Sequence, residues 1–136
     1  MKILILAAHP DDEVLGMGGT IKKLSKGGND IKIIFMSTGI LSRRKIESKV
    51  SKQVFTKDWM KKNENKIKSL RGDAKKAGKI LGVNEIEFMD FPDNEMDIVS
   101  TLMVTKSIEN SIKDFNPKVV YTTPQNDPNV DHQKVY

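Results

Sequence analysis

The sequence predicts an α/β fold with a mostly parallel sheet, and two observations support this prediction. Short apolar runs of strand length alternate along the chain with longer segments of helical character. The connections between successive runs are long enough for the crossover helices that parallel strands require. The chain of 136 residues is large enough for one domain with its own core, so we expect a single domain over 1–136.

The first part of the chain is predicted to form a strand, a helix and a second strand. The apolar run from Lys2 to Ala8 is the first strand. A helix follows from about Leu15 to Lys26, because the two glycines after it are typical of a helix C-terminus. The second strand covers Asp30 to Ser37. The polar stretch from Thr38 to about Asp58 has no firm period, which predicts a long, partly helical excursion.

The second part of the chain repeats this alternation. A helix is predicted from about Trp59 to Leu81, where a glycine follows, and the third strand from about Asn84 to Met89. A further helix covers about Ile98 to Phe115, because the Asn-Pro pair after it cannot continue a helix. The fourth strand runs from Lys118 to Thr122.

With right-handed crossovers, these elements form a Rossmann-like three-layer sandwich. A strand order of 3-2-1-4 makes strands one and four neighbours where the order reverses, and ligands bind at such points. The segment from Asp131 to Val135 looks like the first turn of another helix. Because a four-stranded sheet would leave strand four poorly covered, we expect the fold to be truncated at the C-terminus.

The two histidines of the chain follow the first and the last predicted strands. His9 has three carboxylates within the next four residues, and His132 has an aspartate directly before it. Such groups are costly to bury in an apolar core. His9 and one aspartate of the first loop, together with His132 of the last loop, would provide the three ligands of a catalytic zinc site. The remaining carboxylate of the first loop would accept a proton from the metal-activated water. The absence of cysteine excludes thiolate ligands.

Each of these residues also has a purely structural interpretation. Asp11 and Asp12 could complement the positive end of the following helix. His9 could bind a backbone carbonyl at a strand end, and His132 could belong to a helix start capped by Asp131. The metal site is favoured because the predicted fold brings both histidines together.

The net charge of +5 arises from one segment of the chain. Between Arg43 and Lys79 there are fourteen Lys and Arg residues against four Asp and Glu residues. The segment holds only Phe55 and Trp59 as stacking residues, so a solvated lysine-rich helix and loop is favoured over nucleic-acid binding. A third interpretation is a face toward an anionic substrate such as a phosphorylated sugar or a nucleotide-sugar.

No targeting or membrane signal is recognised in the sequence. The opening apolar run is interrupted at His9 and lacks a small-residue cleavage site, and no apolar stretch approaches the length of a membrane span. We therefore expect a cytoplasmic protein with no transmembrane segment.

Five segments of the chain resemble, in order, the motifs of the LmbE-like or PIG-L deacetylases. These enzymes remove acetyl groups from N-acetylglucosamine-type groups in glycolipids, thiol precursors and polysaccharide building blocks. The resemblance covers nearly the whole chain. It lies in the segments Ala8 to Glu13, Leu15 to Thr20, Ala77 to Val83, Phe91 to Asp93 and Asn129 to His132.

The resemblance implies a metal-dependent N-deacetylase. The zinc ligands would be His9, Asp12 and His132, with Fe²⁺ or another divalent metal as the alternative ion. Asp11 would be the general base, and Asp131 the carboxylate that supports the acid/base chemistry. The substrate would be a small N-acetylated sugar, as a glycolipid, nucleotide-sugar or polysaccharide precursor, with no nucleic-acid partner.

The chain departs from the family pattern in three respects. Asn129 stands where many members have a histidine, so Asp11 would transfer both protons. Arg71 and Asp73 are imperfect counterparts of an arginine and a glutamate. Family chains are usually longer.

The expected substrate-binding residues are Arg71, Asp93 and Asn129, and homo-oligomers are compatible with the resemblance. A non-catalytic sugar-binding or metal-binding homologue is the alternative function, followed by a basic nucleic-acid-binding domain.

Overall fold

A computed structural model of the protein describes residues 1–40 and 56–136. Residues 41–55 lie outside the described residues, and with them most of the predicted excursion and the beginning of the basic segment. Within the described ranges, every helix is too short or too polar to cross a lipid bilayer.

The structure confirms the predicted α/β class. The strands of the described residues are β1 (Lys2–Ala7), β2 (Asp30–Ser37), β3 (Glu85–Phe91) and β4 (Val119–Tyr121). The helices of the same residues are α1 (Asp12–Lys26), α2 (Lys57–Lys62), α3 (Glu64–Leu81), α4 (Thr101–Phe115) and α5 (Val130–Val135), with a short 3₁₀ helix over Met96–Ile98.

The strand order is β3-β2-β1-β4, and all pairs are parallel. This is the order considered from the sequence, in which β1 and β4 are neighbours. β1 and β4 pair from Ile3 opposite Val119 to Ile5 opposite Tyr121. Because the chain first builds the sheet to one side of β1 and then crosses to the other, the order reverses between these two strands. His9 lies in the turn between β1 and α1, and His132 lies in α5, the helix that follows β4.

Apolar residues of β1 alternate between the two faces of the sheet. Leu4, Leu6 and Ala8 pack with residues of α4 and α5, on what we call the α4/α5 face. Ile3, Ile5 and Ala7 pack with residues of α1 and α3, on the α1/α3 face. The central strands are buried on both sides, as expected for a parallel sheet between two helical layers.

Several helix boundaries differ from the sequence prediction. α2 begins at Lys57 rather than Trp59, and α4 begins at Thr101 rather than Ile98, because Met96–Ile98 forms a separate 3₁₀ helix. α1 begins at Asp12 rather than Leu15, because a turn with a hydrogen bond from the Asp12 N–H to the His9 carbonyl leads directly into the helix. The predicted helix from Trp59 to Leu81 is divided at Asn63, whose side-chain amide donates to the Trp59 carbonyl at 3.0 Å. Such local bonds compete with continuous helix.

Gly39, just after β2, fixes how closely the loop after β1 approaches the sheet. Its φ is +72°, and a Cβ atom there would lie 2.7 Å from Cδ of Pro10. We expect Gly39→Ala to lower the free energy of unfolding by about 1–3 kcal/mol, measured by urea denaturation, because strain and overlap add. Gly72→Ala is the matched control.

At Gly72, within α3, an added Cβ meets no atom within 4 Å. We expect Gly72→Ala to raise the free energy of unfolding by about 0.5–1 kcal/mol through helix propensity alone. Equal stability changes in the two variants would show that Gly39 has no special contact with Pro10.

Candidate metal centre

The two histidines meet where the strand order reverses. Nδ1 of His9 lies 3.3 Å from Nε2 of His132. Oδ2 of Asp12 lies 3.4 Å from Nδ1 of His9 and 3.2 Å from Nε2 of His132. We call these three atoms the ligand triangle. The structure thus brings together the three side chains for which metal coordination was predicted.

The dimensions of the ligand triangle fit a small divalent ion. Tetrahedral coordination with metal–ligand bonds of about 2.0–2.1 Å requires ligand atoms about 3.3–3.4 Å apart. The three edges of the triangle lie close to this value. Two imidazole nitrogens and one carboxylate oxygen suit zinc and neighbouring divalent metals. The side chains remain 13–23% exposed, so the triangle is accessible from solvent.

Carboxylates behind both histidines select the tautomer that a metal ligand needs. Nε2 of His9 lies 2.8 Å from Oδ2 of Asp131, and Nδ1 of His132 lies 2.8 Å from Oδ2 of Asp127. A carboxylate only accepts hydrogen bonds, so in the neutral rings the proton is on Nε2 of His9 and on Nδ1 of His132. The nitrogens in the ligand triangle then present lone pairs. This arrangement orients the rings and increases their basicity as ligands.

Asp93 and Asp131 form a buried pair that we call the carboxylate layer. Their side chains are 1% and 0% exposed, and Oδ1 of Asp93 lies 3.1 Å from Nε2 of His9. Asp131 also accepts backbone N–H groups of Asn94 and Met96. These bonds offset the cost of burying the charges. Together with His9, the pair forms a second group of potential metal ligands.

The ligand triangle is nevertheless the better metal site. The oxygens of Asp131 are already engaged by two backbone donors and by His9. The burial of Asp131 leaves no surface where a water or substrate could also bind an ion, whereas a catalytic ion needs an open position. The acid/base role predicted for Asp131 would therefore be exerted through His9. Asp93, for which substrate binding was predicted, has almost no surface available to a substrate.

Asn129 determines how α5 presents His132. Its side-chain oxygen accepts the N–H groups of Asp131 at 2.8 Å and His132 at 3.3 Å, which caps the helix. One structural interpretation of the sequence made Asp131 the cap of this helix, but the capping residue is Asn129. The side-chain amide of Asn129 lies 3.4 Å from Oδ1 of Asn94. Its predicted contact with substrate stays a prediction.

Asp11 lies exposed at the bend between β1 and α1. Its φ of 152° is unusual for a residue other than glycine, and such strain is frequent at functional sites. The Asp11 N–H donates to Oε2 of Glu13 at 3.1 Å. Glu13 is buried, and burial raises its pKa. Glu13 thus supports the bend, while the general-base role of Asp11 stays a prediction.

Arg71 is held at the end of β3. Its guanidinium donates to Oδ1 of Asp90 and lies over the ring of Phe88 at 5.0 Å from the centroid. To contact a substrate as predicted, the Arg71 side chain must either bind it while keeping Asp90 and Phe88 as partners or leave these partners.

Sequence reasoning assigned no role to Asp127. Its Oδ1 accepts the Asn129 N–H at 2.9 Å, which is ordinary Asx-turn chemistry and could have been recognised in Asp-Pro-Asn. The backbone N–H of Asn129 and the ring of His132 lower the pKa of Asp127. The contact of Oδ2 of Asp127 with His132 depends on the orientation of α5, so it could not be predicted from the sequence.

The fold and the site define an α/β protein with a His/Asp centre suited to a divalent ion. A family model described as "PIG-L: GlcNAc-PI de-N-acetylase" matches residues 4–136. The chain therefore belongs to the PIG-L family, which confirms the family indicated by its motifs.

Known relatives and solved structures agree with this assignment. The chain is 31% identical over 119 residues to diacetylchitobiose deacetylase from Thermococcus kodakarensis, covering 88% of this chain and 39% of that protein. The structure of N,N'-diacetylchitobiose deacetylase from Pyrococcus horikoshii matches with a TM-score of 0.74 and 24% identity, covering 98% of this chain and 46% of that chain.

A solved structure with a different activity is also similar. GalB, the 4-carboxy-2-hydroxymuconate hydratase from Pseudomonas putida KT2440, matches with a TM-score of 0.70 and 26% identity, covering 96% of this chain and 50% of that chain. The chain thus spans half of the hydratase and less than half of the two chitobiose deacetylases.

The geometry predicts an unusual protonation state for His9 in chelator-treated protein. Burial would lower the pKa of His9, but hydrogen bonds to the carboxylates of Asp12, Asp131 and Asp93 outweigh it and raise the pKa to about 11. We expect ¹⁵N NMR of the imidazole to show a protonated ring well above pH 8.

This pKa has a definite consequence for stability. Because it exceeds the ordinary value of 6.5, the contribution of His9 to stability is complete below about pH 6.5 and is lost as pH rises through about 11. Asp131→Asn is the control and should lower the pKa of His9. A wild-type midpoint near 6.5 would contradict the role of the carboxylates.

Proposed function

We propose that this chain carries the catalytic centre of a metal-dependent N-deacetylase that acts on an N-acetylated sugar, with Zn²⁺ as the preferred ion and Fe²⁺ as the alternative. The ligand triangle is the observation that carries this proposal. Three predicted ligands, two near one end of the chain and one near the other, lie at the mutual distances that a tetrahedral ion needs. Membership of the PIG-L family supports deacetylation as the reaction.

The reaction would be hydrolysis of an amide. A bound divalent ion supplies Lewis acidity, which lowers the pKa of water and polarises an acyl carbonyl. The chain positions this chemistry through His9 and His132, whose rings are held by carboxylates. Water adds to the acetyl carbon, the C–N bond breaks, and acetate and a free amine are the products.

Asp11 would move the protons of this reaction. It would accept a proton from the attacking water and deliver it to the nitrogen of the leaving amine. Asn129 occupies the position where a histidine could share this task, and its side-chain oxygen caps α5. A single carboxylate would therefore serve as base and then as acid.

A cleft of about 490 Å³ borders the ligand triangle and is the proposed substrate site. It lies between α1 and the end of β4, and its walls include Asp12 and His132 together with Met17, Thr20 and Tyr121. This volume lies within the range of small-molecule sites. A larger cleft of about 670 Å³ runs along β3 and α4 but contains none of the ligands, so we assign the substrate to the smaller one.

The proposed substrate class is an N-acetylglucosamine-type conjugate, as a glycolipid, a nucleotide-sugar or a polysaccharide precursor. The relatives named as diacetylchitobiose deacetylases support a small sugar amide. We further propose that the protein acts in the cytoplasm.

Hydration of a small carboxylated enol is a second candidate function. The similarity to the hydratase at 26% identity favours it. Both reactions use activated water, so the same centre could serve either one. Parallel assays with diacetylchitobiose and with 4-carboxy-2-hydroxymuconate distinguish them.

Metal analysis tests the ligand triangle directly. We expect about one equivalent of divalent metal per chain in protein loaded with zinc and then dialysed. His132→Ala should reduce this to background, because it removes one of three ligands. Lys134→Ala, also in α5, is the control and should retain the metal. Full metal content in His132→Ala would place the ion elsewhere.

Substitution of Asp11 tests the general base. We expect Asp11→Asn to lower kcat for deacetylation about 10²–10⁴-fold while the metal content stays at the wild-type level. Asp97→Asn, at an exposed position of the 3₁₀ helix, should leave kcat unchanged. If Asp11→Asn kept the wild-type rate with every sugar amide tested, another group would be the base.

A further inference from the structure

The hydroxyl of Thr38 is buried without a hydrogen-bond partner. The side chain is 2% exposed, and its Oγ1 contacts no donor or acceptor in the described part of the chain. Buried polar groups in folded proteins are nearly always hydrogen-bonded, because an unsatisfied hydroxyl loses its bonds to water without replacement. This hydroxyl therefore calls for a physical explanation.

Thr38 lies beside the loop that carries His9. The residue before it, Ser37, donates to the Ala8 carbonyl from both its N–H and its hydroxyl, at 2.9 and 2.8 Å. The residue after it, Gly39, lies against the ring of Pro10. Thr38 is thus held at the level of the bend between β1 and α1.

The opposite neighbour of Thr38 is the loop that carries Asp93. Ser37 pairs with Phe91, the last residue of β3, so the chain that leaves β3 continues alongside Thr38. Thr38 therefore lies between the strand ends from which His9 and Asp93 emerge. These two side chains contact each other at 3.1 Å.

The alternation along β2 places the hydroxyl on the same side as the carboxylate layer. Ile34 and Met36 belong to the α4/α5 face, and the next residue of this alternation is Thr38. Met96 lies on the same face, and its backbone N–H binds Asp131. The carboxylate layer and the Thr38 side chain thus share one side of the sheet.

We propose that Thr38 is a positioning residue of the metal centre, whose hydroxyl donates a hydrogen bond to the carboxylate layer when the ligand triangle holds a divalent ion. Asp131 offers about four acceptor positions, and three of them are taken by the Nε2–H of His9 and by the backbone N–H groups of Asn94 and Met96. A further donor fixes the layer, and the layer fixes the ring of His9. This inference rests on the proposed metal-dependent function.

Two substitutions separate the hydroxyl from the shape of the side chain. Thr38→Val removes the hydroxyl and keeps the branched shape, whereas Thr38→Ser keeps the hydroxyl. Zn²⁺ affinity of the full chain is measured by competition with a chelator dye, and thermal unfolding is measured in excess chelator. We expect about tenfold weaker Zn²⁺ binding for Thr38→Val and near wild-type binding for Thr38→Ser.

Thermal unfolding provides the opposing signature. In excess chelator, Thr38→Val should unfold at the same or a higher temperature than wild type, because an unsatisfied hydroxyl is removed. Wild-type Zn²⁺ affinity in Thr38→Val would overturn the proposal, whatever the unfolding temperature. Weaker binding in Thr38→Ser equal to that in Thr38→Val would also overturn it.

Ser111 offers a matched buried hydroxyl away from the centre. It lies in α4, is 5% exposed, and donates to Oε2 of Glu87 at 3.1 Å. Ser111→Ala should lower the unfolding temperature and leave Zn²⁺ affinity unchanged. A wild-type protein that binds no Zn²⁺ would overturn both proposals, whereas Zn²⁺ binding that weakens in Thr38→Val without any deacetylase activity would remove only the proposed reaction.

Discussion

The parallel pairing of β1 with β4 is the constraint on which the centre depends. It brings His9 and His132, 123 positions apart in the chain, to 3.3 Å between ring nitrogens. Neither strand end alone supplies the three ligands, because β1 is followed by His9 and Asp12 and β4 is followed by His132. The site therefore exists only once the crossover from β3 through α4 to β4 is complete. Folding and assembly of the centre are in this sense one event.

The charged groups behind the histidines show how a small domain keeps such a centre in place. Burial of Asp93 and Asp131 would be prohibitive without partners, and here backbone N–H groups and His9 provide them. The same bonds orient the imidazole toward Asp12. Stability and ligand geometry thus rely on one set of hydrogen bonds, and we extend this set to Thr38.

Much of the fold follows from local patterns, since β1, β2 and β4 are short, mainly apolar runs and β3 alternates charged and apolar residues. The second strand is predicted at its observed limits, Asp30 to Ser37, because polar residues bound it sharply. The break at Asn63 could not be predicted from the pattern, since an asparagine in a polar helix does not interrupt the spacing of apolar residues. The supporting contact of Asp127 with His132 escapes it too, because it requires the orientation of α5.

The sequence by itself determined the α/β class and the candidate ligands, because apolar periodicity and the positions of two histidines are local properties. The strand order was established by the tertiary structure. The tertiary structure alone decided the distances within the ligand triangle and the tautomer of each ring. It also separated the exposed Asp11 from the buried Asp93 and Asp131. The reason is physical: hydrogen bonding and burial depend on neighbours from β1, β3 and α5, and no single segment of the chain contains them.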